Sequence, residues 1–264
     1  MSYALITGAS SGIGRCYATE LARRGYNIIA VSNQLRELED TAKMLREAFN
    51  GIDVHTINMD LTARNAAQTL HQRCIDEGWE VEILVCNAGM LLFSTLTATD
   101  PKRLELIIDL HCTTTTLLCR YFGEDMKLRR KGRILIMSSS TAWLPYPTIS
   151  HYSATKSYLK SFASALWYEL RSYGVSVTAI FPGAVNTPFY QLSDKKRKLF
   201  VRLGIMMNAE TIARRGIRAM MHGRRRLTPG LFTKLVVVIC SILPARLLYP
   251  MLRIGPIRRL LERV

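Results

Sequence analysis

No cysteine pattern in the 264-residue sequence would support a disulfide framework or a structural metal. The six cysteines (Cys16, Cys74, Cys86, Cys112, Cys119 and Cys240) are scattered, without a Cys-x-x-Cys or a cysteine–histidine pair at zinc spacing. Most sit among apolar neighbours, where a free thiol behaves as a small hydrophobe. A reducing compartment and no metal site are therefore expected. Ahead of Tyr3-Ala4-Leu5-Ile6 there is no basic region, apolar stretch and cleavage site, so no signal peptide is expected and the chain is read as cytoplasmic. Internal repeats and low-complexity linkers are absent too, which argues for one domain. With 48% hydrophobic and 21% charged residues, a disordered chain is excluded. A chain of this length buries roughly three quarters of its unfolded surface and needs no covalent staple.

Acidic residues are scarce in one place only. Residues 1–194 balance 19 Lys and Arg against 18 Asp and Glu, whereas residues 195–264 set 17 Lys and Arg against Glu210 and Glu262 alone. A net +15 of the overall +16 thus belongs to the last quarter. This is a near-neutral body with a cationic attachment, and not a uniformly basic nucleic-acid binder.

The body alternates apolar runs with helical patterns. Strands are predicted at Tyr3–Thr7, Asn27–Ser32, Val54–Asn58, Ile83–Cys86, Arg133–Met137 and Ser176–Phe181. Helices are predicted at Cys16–Arg24, Leu35–Phe49, Arg64–Glu77, roughly Lys102–Leu128, and Tyr152–Tyr173. Strands separated by helices of this length point to parallel βαβ units, hence an α/β, doubly wound parallel sheet in three layers. Beyond Pro188 the alternation breaks down into a helical and loop extension, with a helix at Glu210–His222 and a short strand at Arg224–Leu227.

Thr7-Gly8-Ala9-Ser10-Ser11-Gly12-Ile13-Gly14 lies at the first strand–helix junction. Glycines there allow a sharp turn and close backbone approach to a pyrophosphate, while helix N-terminal amides supply donors; the plain alternative is a tight turn. Asp60, after the third strand, is placed to accept an adenine amino group or simply to cap a helix. Asn87-Ala88-Gly89 ends the fourth strand and should meet the loop at the switch point. The second strand ends in Val31-Ser32-Asn33-Gln34, with no carboxylate to take ribose hydroxyls and repel a 2′-phosphate. NADP is therefore favoured over NAD, with Ser32, Asn33 or Arg36 as hydrogen-bonding candidates. Tyr152 and Lys156 stand four apart on one helical face, where a cation would lower the phenol's pKa from its usual value near 10. The plain alternative is a solvated Lys beside a half-buried Tyr. Ser139, at the end of the fifth strand, could face the same crevice.

The glycine-rich loop, Asn87-Ala88-Gly89, a serine 13 residues before Tyr152, Tyr-x-x-x-Lys, and then Pro182-Gly183-Ala184-Val185-Asn186-Thr187 occur in order and spacing. In this the chain resembles the short-chain dehydrogenase/reductase family from Tyr3 to about Thr187. The resemblance implies a Rossmann fold and NAD(P)-dependent hydride transfer between a ketone and a secondary alcohol. It implies that Ser139 orients the substrate oxygen, Tyr152 is the general acid/base, and Lys156 holds the ribose. The cofactor would meet Gly8, Ser10, Ser11, Gly12, Ile13, Gly14, Ser32, Asn33, Asp60, Leu61, Asn87, Ala88, Gly89, Pro182, Gly183, Val185 and Thr187. One position departs: where the family usually carries Asn in the long helix, this chain has His111. Its imidazole either joins the proton relay to Lys156 or is a core-facing histidine.

Residues 1–187 are thus read as the nucleotide-binding and catalytic core, and 188–264 as a substrate-covering segment and basic, apolar extension of the same domain. In the extension, Lys195-Lys196-Arg197-Lys198 is followed by the nine-residue uncharged run Leu235–Leu243, too short for the about 20 residues that span a bilayer. Apolar clusters paired with arginines beyond it suit peripheral contact with an anionic membrane, packing or an oligomer contact, or attraction of an acidic substrate such as an acyl thioester. The expected partners are a small lipophilic substrate (a 3-keto lipid or steroid) and further copies of the chain. Nucleic acid is not expected, because Phe232 and Tyr249 are too few for base stacking. A function of another class, a redox-sensing or scaffolding nucleotide binder at a membrane, is opposed by the intact Ser139, Tyr152 and Lys156.

Overall fold

Strands that are apolar on both faces can be buried only between two helical layers. Such a sandwich is found in the computed structural model, which describes residues 2–91, 93–143, 148–186, 199–204, 206–242 and 246. Seven strands form one sheet: β1 (Tyr3–Thr7), β2 (Asn27–Ser32), β3 (Val54–Asn58), β4 (Val81–Cys86), β5 (Gly132–Met137), β6 (Val175–Ile180) and β9 (Arg226–Leu227). All its pairings are parallel, in the order β3-β2-β1-β4-β5-β6-β9. Two three-residue strands, β7 (Ala184–Asn186) and β8 (Met206–Asn208), pair separately.

Alternate side chains along each strand enter different cores. Leu5, Ile134 and Ile136 join the cluster that α3 (Ala66–Asp76), α5 (Thr115–Arg129) and α6 (Ser150–Arg171) cover through Leu70, Leu118 and Leu159. Ala4, Ile6, Leu135 and Met137 join the cluster covered by α1 (Gly12–Ala22), α2 (Leu35–Ala48) and α7 (Ala209–Met221) through Tyr17, Leu38 and Ile212. Helix α7 approaches α1 closely: a Cβ on Gly216 would lie 2.8 Å from the Tyr17 hydroxyl. Residues beyond 187 therefore supply a core helix and the strand that pairs with β6, in addition to a further helix α8 (Leu231–Ile242).

The expected long helix is observed with an interruption. Asp100 accepts the Lys102 N–H and Pro101 occupies the first turn, which starts α4 (Pro101–Ile108). Asp109–Thr114 then winds as a π turn before α5 continues. Such wide turns accompany functional sites, because they re-aim a side chain without ending the helix. The strand order reverses between β1 and β4, so their carboxyl ends open a crevice at the centre of the sheet. Among the described residues no helix is long and apolar enough to cross a membrane. Thr187, Lys195-Lys196-Arg197-Lys198, Leu243, and the sequence after it apart from Arg246 lie outside the described residues.

Candidate active site

The loop from β1 into α1 is braced by side chains that never leave the strand ends. Thr7 Oγ1 donates to the Val85 carbonyl at 3.2 Å and accepts the N–H groups of Asn87 and Ala88, each at 3.0 Å. The Asn87 side-chain amide donates to the carbonyls of Thr7 (3.0 Å) and Gly8 (3.3 Å). Gly8 has φ +67°, and a Cβ there would come within 2.9 Å of Ala88 Cα; a Cβ on Gly14 would run into the Gly8 carbonyl. Both positions leave backbone exposed where a side chain would stand. Helix α1 begins with no side-chain cap. The first-turn N–H groups and the positive end of its dipole are thus left for an anionic ligand.

A cleft of about 560 Å³ joins this cradle to the catalytic candidates. Gly8, Ser10, Ser11, Gly12, Ile13, Gly14, Ser32, Asn33, Asp60, Leu61, Asn87, Ala88, Gly89, His111, Ser139, Tyr152, Lys156, Pro182, Gly183 and Val185 all line it. Of the sequence-predicted site, Thr187 alone is outside the described residues. The uncapped helix end, the glycine cradle and the unpaired cation described below fit a nicotinamide dinucleotide. Asn87 has its amide committed to bracing the loop, so only its remaining surface faces the cleft. Asp60 Oδ1 accepts both the N–H (2.9 Å) and hydroxyl (2.8 Å) of Thr62, which makes it a turn cap that also lines the cleft. Ser32 is buried, donating to Ser10 Oγ at 3.0 Å and accepting the Gln34 N–H at 3.2 Å, whereas Asn33 is exposed.

The catalytic candidates come together where β5 ends against α6. Ser138 Oγ donates to the Lys156 carbonyl at 2.8 Å, pinning the helix to the strand. Lys156 Nζ donates to the Met137 carbonyl at 3.0 Å and sits 5.5 Å from the Tyr152 ring centroid. No carboxylate pairs with this ammonium among the described residues. Burial without a counter-ion brings its pKa down from 10.5 to about 8. The Ser139 hydroxyl accepts the Thr141 N–H at 3.2 Å, so its own proton can be donated into the cleft.

Of the two roles open to His111, relay member or core-facing histidine, its surroundings fit the second. It is 1% exposed, in the π turn. Its Nε2 accepts the Met90 N–H at 3.1 Å, so the neutral ring carries its proton on Nδ1. Nδ1 then donates to Thr155 Oγ1 at 2.9 Å, and the Thr155 hydroxyl donates to the Tyr152 carbonyl at 2.8 Å. This tautomer alone satisfies all three bonds. Burial, with the nearby Lys156 charge, holds the pKa well below 6.5. The imidazole is therefore a fixed neutral tie between the loop after β4 and the helix bearing Tyr152, and its ring packs edge-on to Tyr152 at 5.7 Å between centroids. Two further contributors were not singled out in the sequence: Thr155, signalled only by standing three residues after Tyr152, and Ser138, signalled by nothing but its place beside Ser139.

The whole arrangement has known counterparts. The family model described as short chain dehydrogenase matches residues 2–198. The chain is 30% identical over 252 residues to the 17-beta-hydroxysteroid dehydrogenase type 3 of Mus musculus, covering 94% of this chain and 78% of that one. It is 33% identical over 181 residues to the very-long-chain 3-oxoacyl-CoA reductase of Coccidioides immitis, covering 68% and 52% respectively. Among solved structures, the short-chain dehydrogenase of Sphingobium yanoikuyae in complex with NADPH superposes with a TM-score of 0.79 at 25% identity, over 97% of both chains. With the glycine cradle and Ser139, Tyr152 and Lys156 on one cleft, and with these matches, the chain belongs to the short-chain dehydrogenase/reductase family and is an oxidoreductase of CH–OH and C=O groups.

Proposed function

We propose that this oxidoreductase interconverts a ketone and a secondary alcohol on a lipophilic substrate, a 3-keto lipid or a steroid, with NADP(H) used in preference to NAD(H). The observation carrying the reading is a single cleft in which Ser139, Tyr152 and Lys156 adjoin an apolar wall of Met90, Leu91, Phe93, Leu110 and Ile149. Such a wall with few convergent polar groups suits a water-poor substrate. The names of the steroid dehydrogenase and the acyl reductase point the same way. Neither the steroid dehydrogenase nor the acyl reductase supports the alternative of a redox-sensing scaffold.

Held by the glycine cradle and Lys156, a bound nicotinamide dinucleotide would supply or accept the hydride at the substrate carbon. In reduction, the Ser139 hydroxyl donates to the carbonyl oxygen and the Tyr152 hydroxyl gives it a proton, yielding the alcohol; oxidation runs the same transfers backwards. The Lys156 ammonium stabilises negative charge developing on the phenolic oxygen and offers hydrogen bonds to ribose hydroxyls. His111 and Thr155 hold the Tyr152 turn in register. The preference for NADP rests on the missing carboxylate at the end of β2, where Ser32, Asn33 and Gln34 line the cleft. Peripheral attachment through residues 195–264 and self-association complete the proposal. The test is NADPH- and NADH-dependent turnover of a panel of keto lipids and ketosteroids. Turnover confined to small hydrophilic ketones would overturn the substrate class, and a clear preference for NADH would overturn the cofactor choice.

A further inference from the structure

Helix α8 (Leu231–Ile242, LFTKLVVVICSI) is the least covered apolar element among the described residues. Thr233 is its only buried residue. Leu231 (86% exposed), Leu235, Val238 and Ile242 (74% exposed) recur at helical spacing, with Phe232 and Ile239 flanking them, so the exposed side chains form a continuous stripe. At about 1.5 Å per residue the helix is roughly 18 Å long, well short of the roughly 30 Å of a bilayer's hydrocarbon core. Over its described residues it is too short to cross a membrane and of a length to lie in a membrane surface.

Two further observations decide what covers the stripe and why that matters. The first is charge. Between Glu210 and Glu262 the sequence contains no Asp or Glu, while Arg224, Arg225, Arg226 and Lys234 flank or lie within the helix. An apolar stripe set in an acid-free, strongly cationic segment matches an anionic lipid surface, where headgroups attract the bases and acyl chains receive the stripe. A second copy of the same segment would bring like charges together. The second observation is position. Thr233 packs against the cleft wall so closely that a Cβ on Gly183 would meet its Oγ1 at 2.5 Å. Gly183 lines the catalytic cleft together with Pro182, Ala184 and Val185. The exposed helix is thus seated on the wall of the active site.

We propose that the exposed face of α8 docks in-plane on an anionic lipid bilayer, and that its seat on Gly183 holds the cleft at the lipid surface, where a water-insoluble ketone enters from the membrane. The docking stands on the helix and its charge; the entry route rests on the lipophilic substrate proposed above. The two are separated by a readout that needs no substrate.

Purified full-length protein is floated with vesicles of neutral phosphatidylcholine, or of phosphatidylcholine with 30% phosphatidylglycerol, in about 20 mM and about 500 mM salt. Raising the salt shortens the screening length several-fold. Wild type should partition onto anionic vesicles at least tenfold better than onto neutral ones, and lose most of that binding in high salt. The double variant Leu235→Asp, Val238→Asp, altered only on the exposed face, should lose binding at least tenfold while keeping the wild-type melting temperature and turnover of a small water-soluble ketone. A Phe232→Trp variant should shift its emission to the blue on anionic vesicles. No binding by wild type to anionic vesicles in low salt overturns the docking, as does unchanged binding by the double variant. A wild-type oligomer that the double variant dissolves, without vesicle binding, overturns it too and assigns the stripe to a contact between copies. If docking holds but a bilayer-dissolved ketone is reduced equally by wild type and the double variant, the entry route falls while the docking stands.

Discussion

Replacing Lys156 by Met should make the cofactor-free protein more stable, because the ammonium is held in the folded state at a cost. Lys156 is 5% exposed with no carboxylate partner among the described residues, and burial brings its pKa from 10.5 to about 8. A depression of that size corresponds to roughly 3 kcal/mol, at 1.36 kcal/mol per unit, by which folding disfavours the charged form. The sign follows from proton counting. Between pH 8 and 10.5 the unfolded chain binds a proton at this site that the folded chain has released, so wild-type stability rises with pH in that window. Below pH 8 both states are protonated and the whole penalty is present. Met, of similar length and apolar, removes it. What is lost is the bond from Nζ to the Met137 carbonyl, worth about 1 kcal/mol. A net gain of roughly 2 kcal/mol at pH 7 should raise the melting temperature by about 4–8 °C in a domain of this size. Thermal or urea unfolding of both proteins at several pH values measures it: the advantage should shrink from pH 8 upwards, vanish at about pH 9.5, and give way by about pH 10.5 to a deficit of about the lost hydrogen bond. A variant less stable than wild type at pH 7, or an advantage independent of pH, would refute the claim that Lys156 is a desolvated, uncompensated cation awaiting a ligand.

Other expectations follow from the same geometry. His111→Leu leaves the Met90 N–H without its acceptor and the Thr155 oxygen without its donor, so stability should fall by about 1–3 kcal/mol and kcat should fall with it. Because His111 is held neutral well below 6.5, the wild-type rate profile should show no histidine limb between pH 6 and 7.5, and nuclear magnetic resonance should find no titration of this ring there; a limb that disappears in the variant would contradict the fixed tautomer. Ser32→Asp should swing the ratio of kcat/KM for NADPH over NADH towards NADH, by setting a carboxylate at the end of β2. An unchanged ratio would show that this position does not read the 2′-phosphate.

Much of the architecture was legible because buried parallel strands are written as apolar runs. Asn27–Ser32 and Val54–Asn58 lie in the observed strands to the residue. Helix α1 was expected from Cys16 and begins at Gly12, because glycines that look like loop on composition are needed inside the first turn. The π turn at Asp109–Thr114 was not legible. It is held by tertiary bonds, such as Thr114 Oγ1 to the Leu61 carbonyl at 2.6 Å, that span 53 positions in sequence. Strands β7 and β8 are three residues long and carry no periodic signal, whereas the short strand expected at Arg224–Leu227 is observed as β9. At the site, residue types and spacing singled out Ser139, Tyr152 and Lys156, and the fold brings all three to one cleft. Spacing alone left His111 between two roles, which only the donors and acceptors around its ring distinguish. Asn87 likewise turned out to brace the loop with its amide, which depends on where two strands end relative to each other.

The central claim is that Tyr152 passes the proton while the rest of the cleft binds cofactor. Its most direct measurement compares Tyr152→Phe with wild type for NADPH affinity, by fluorescence titration, and for single-turnover reduction of a ketone that wild type reduces. Removing only the hydroxyl should leave the Kd for NADPH within about threefold while the rate of the chemical step falls by 10²-fold or more, the usual contribution of a positioned general acid. A variant that reduces the ketone at close to the wild-type rate would contradict the account.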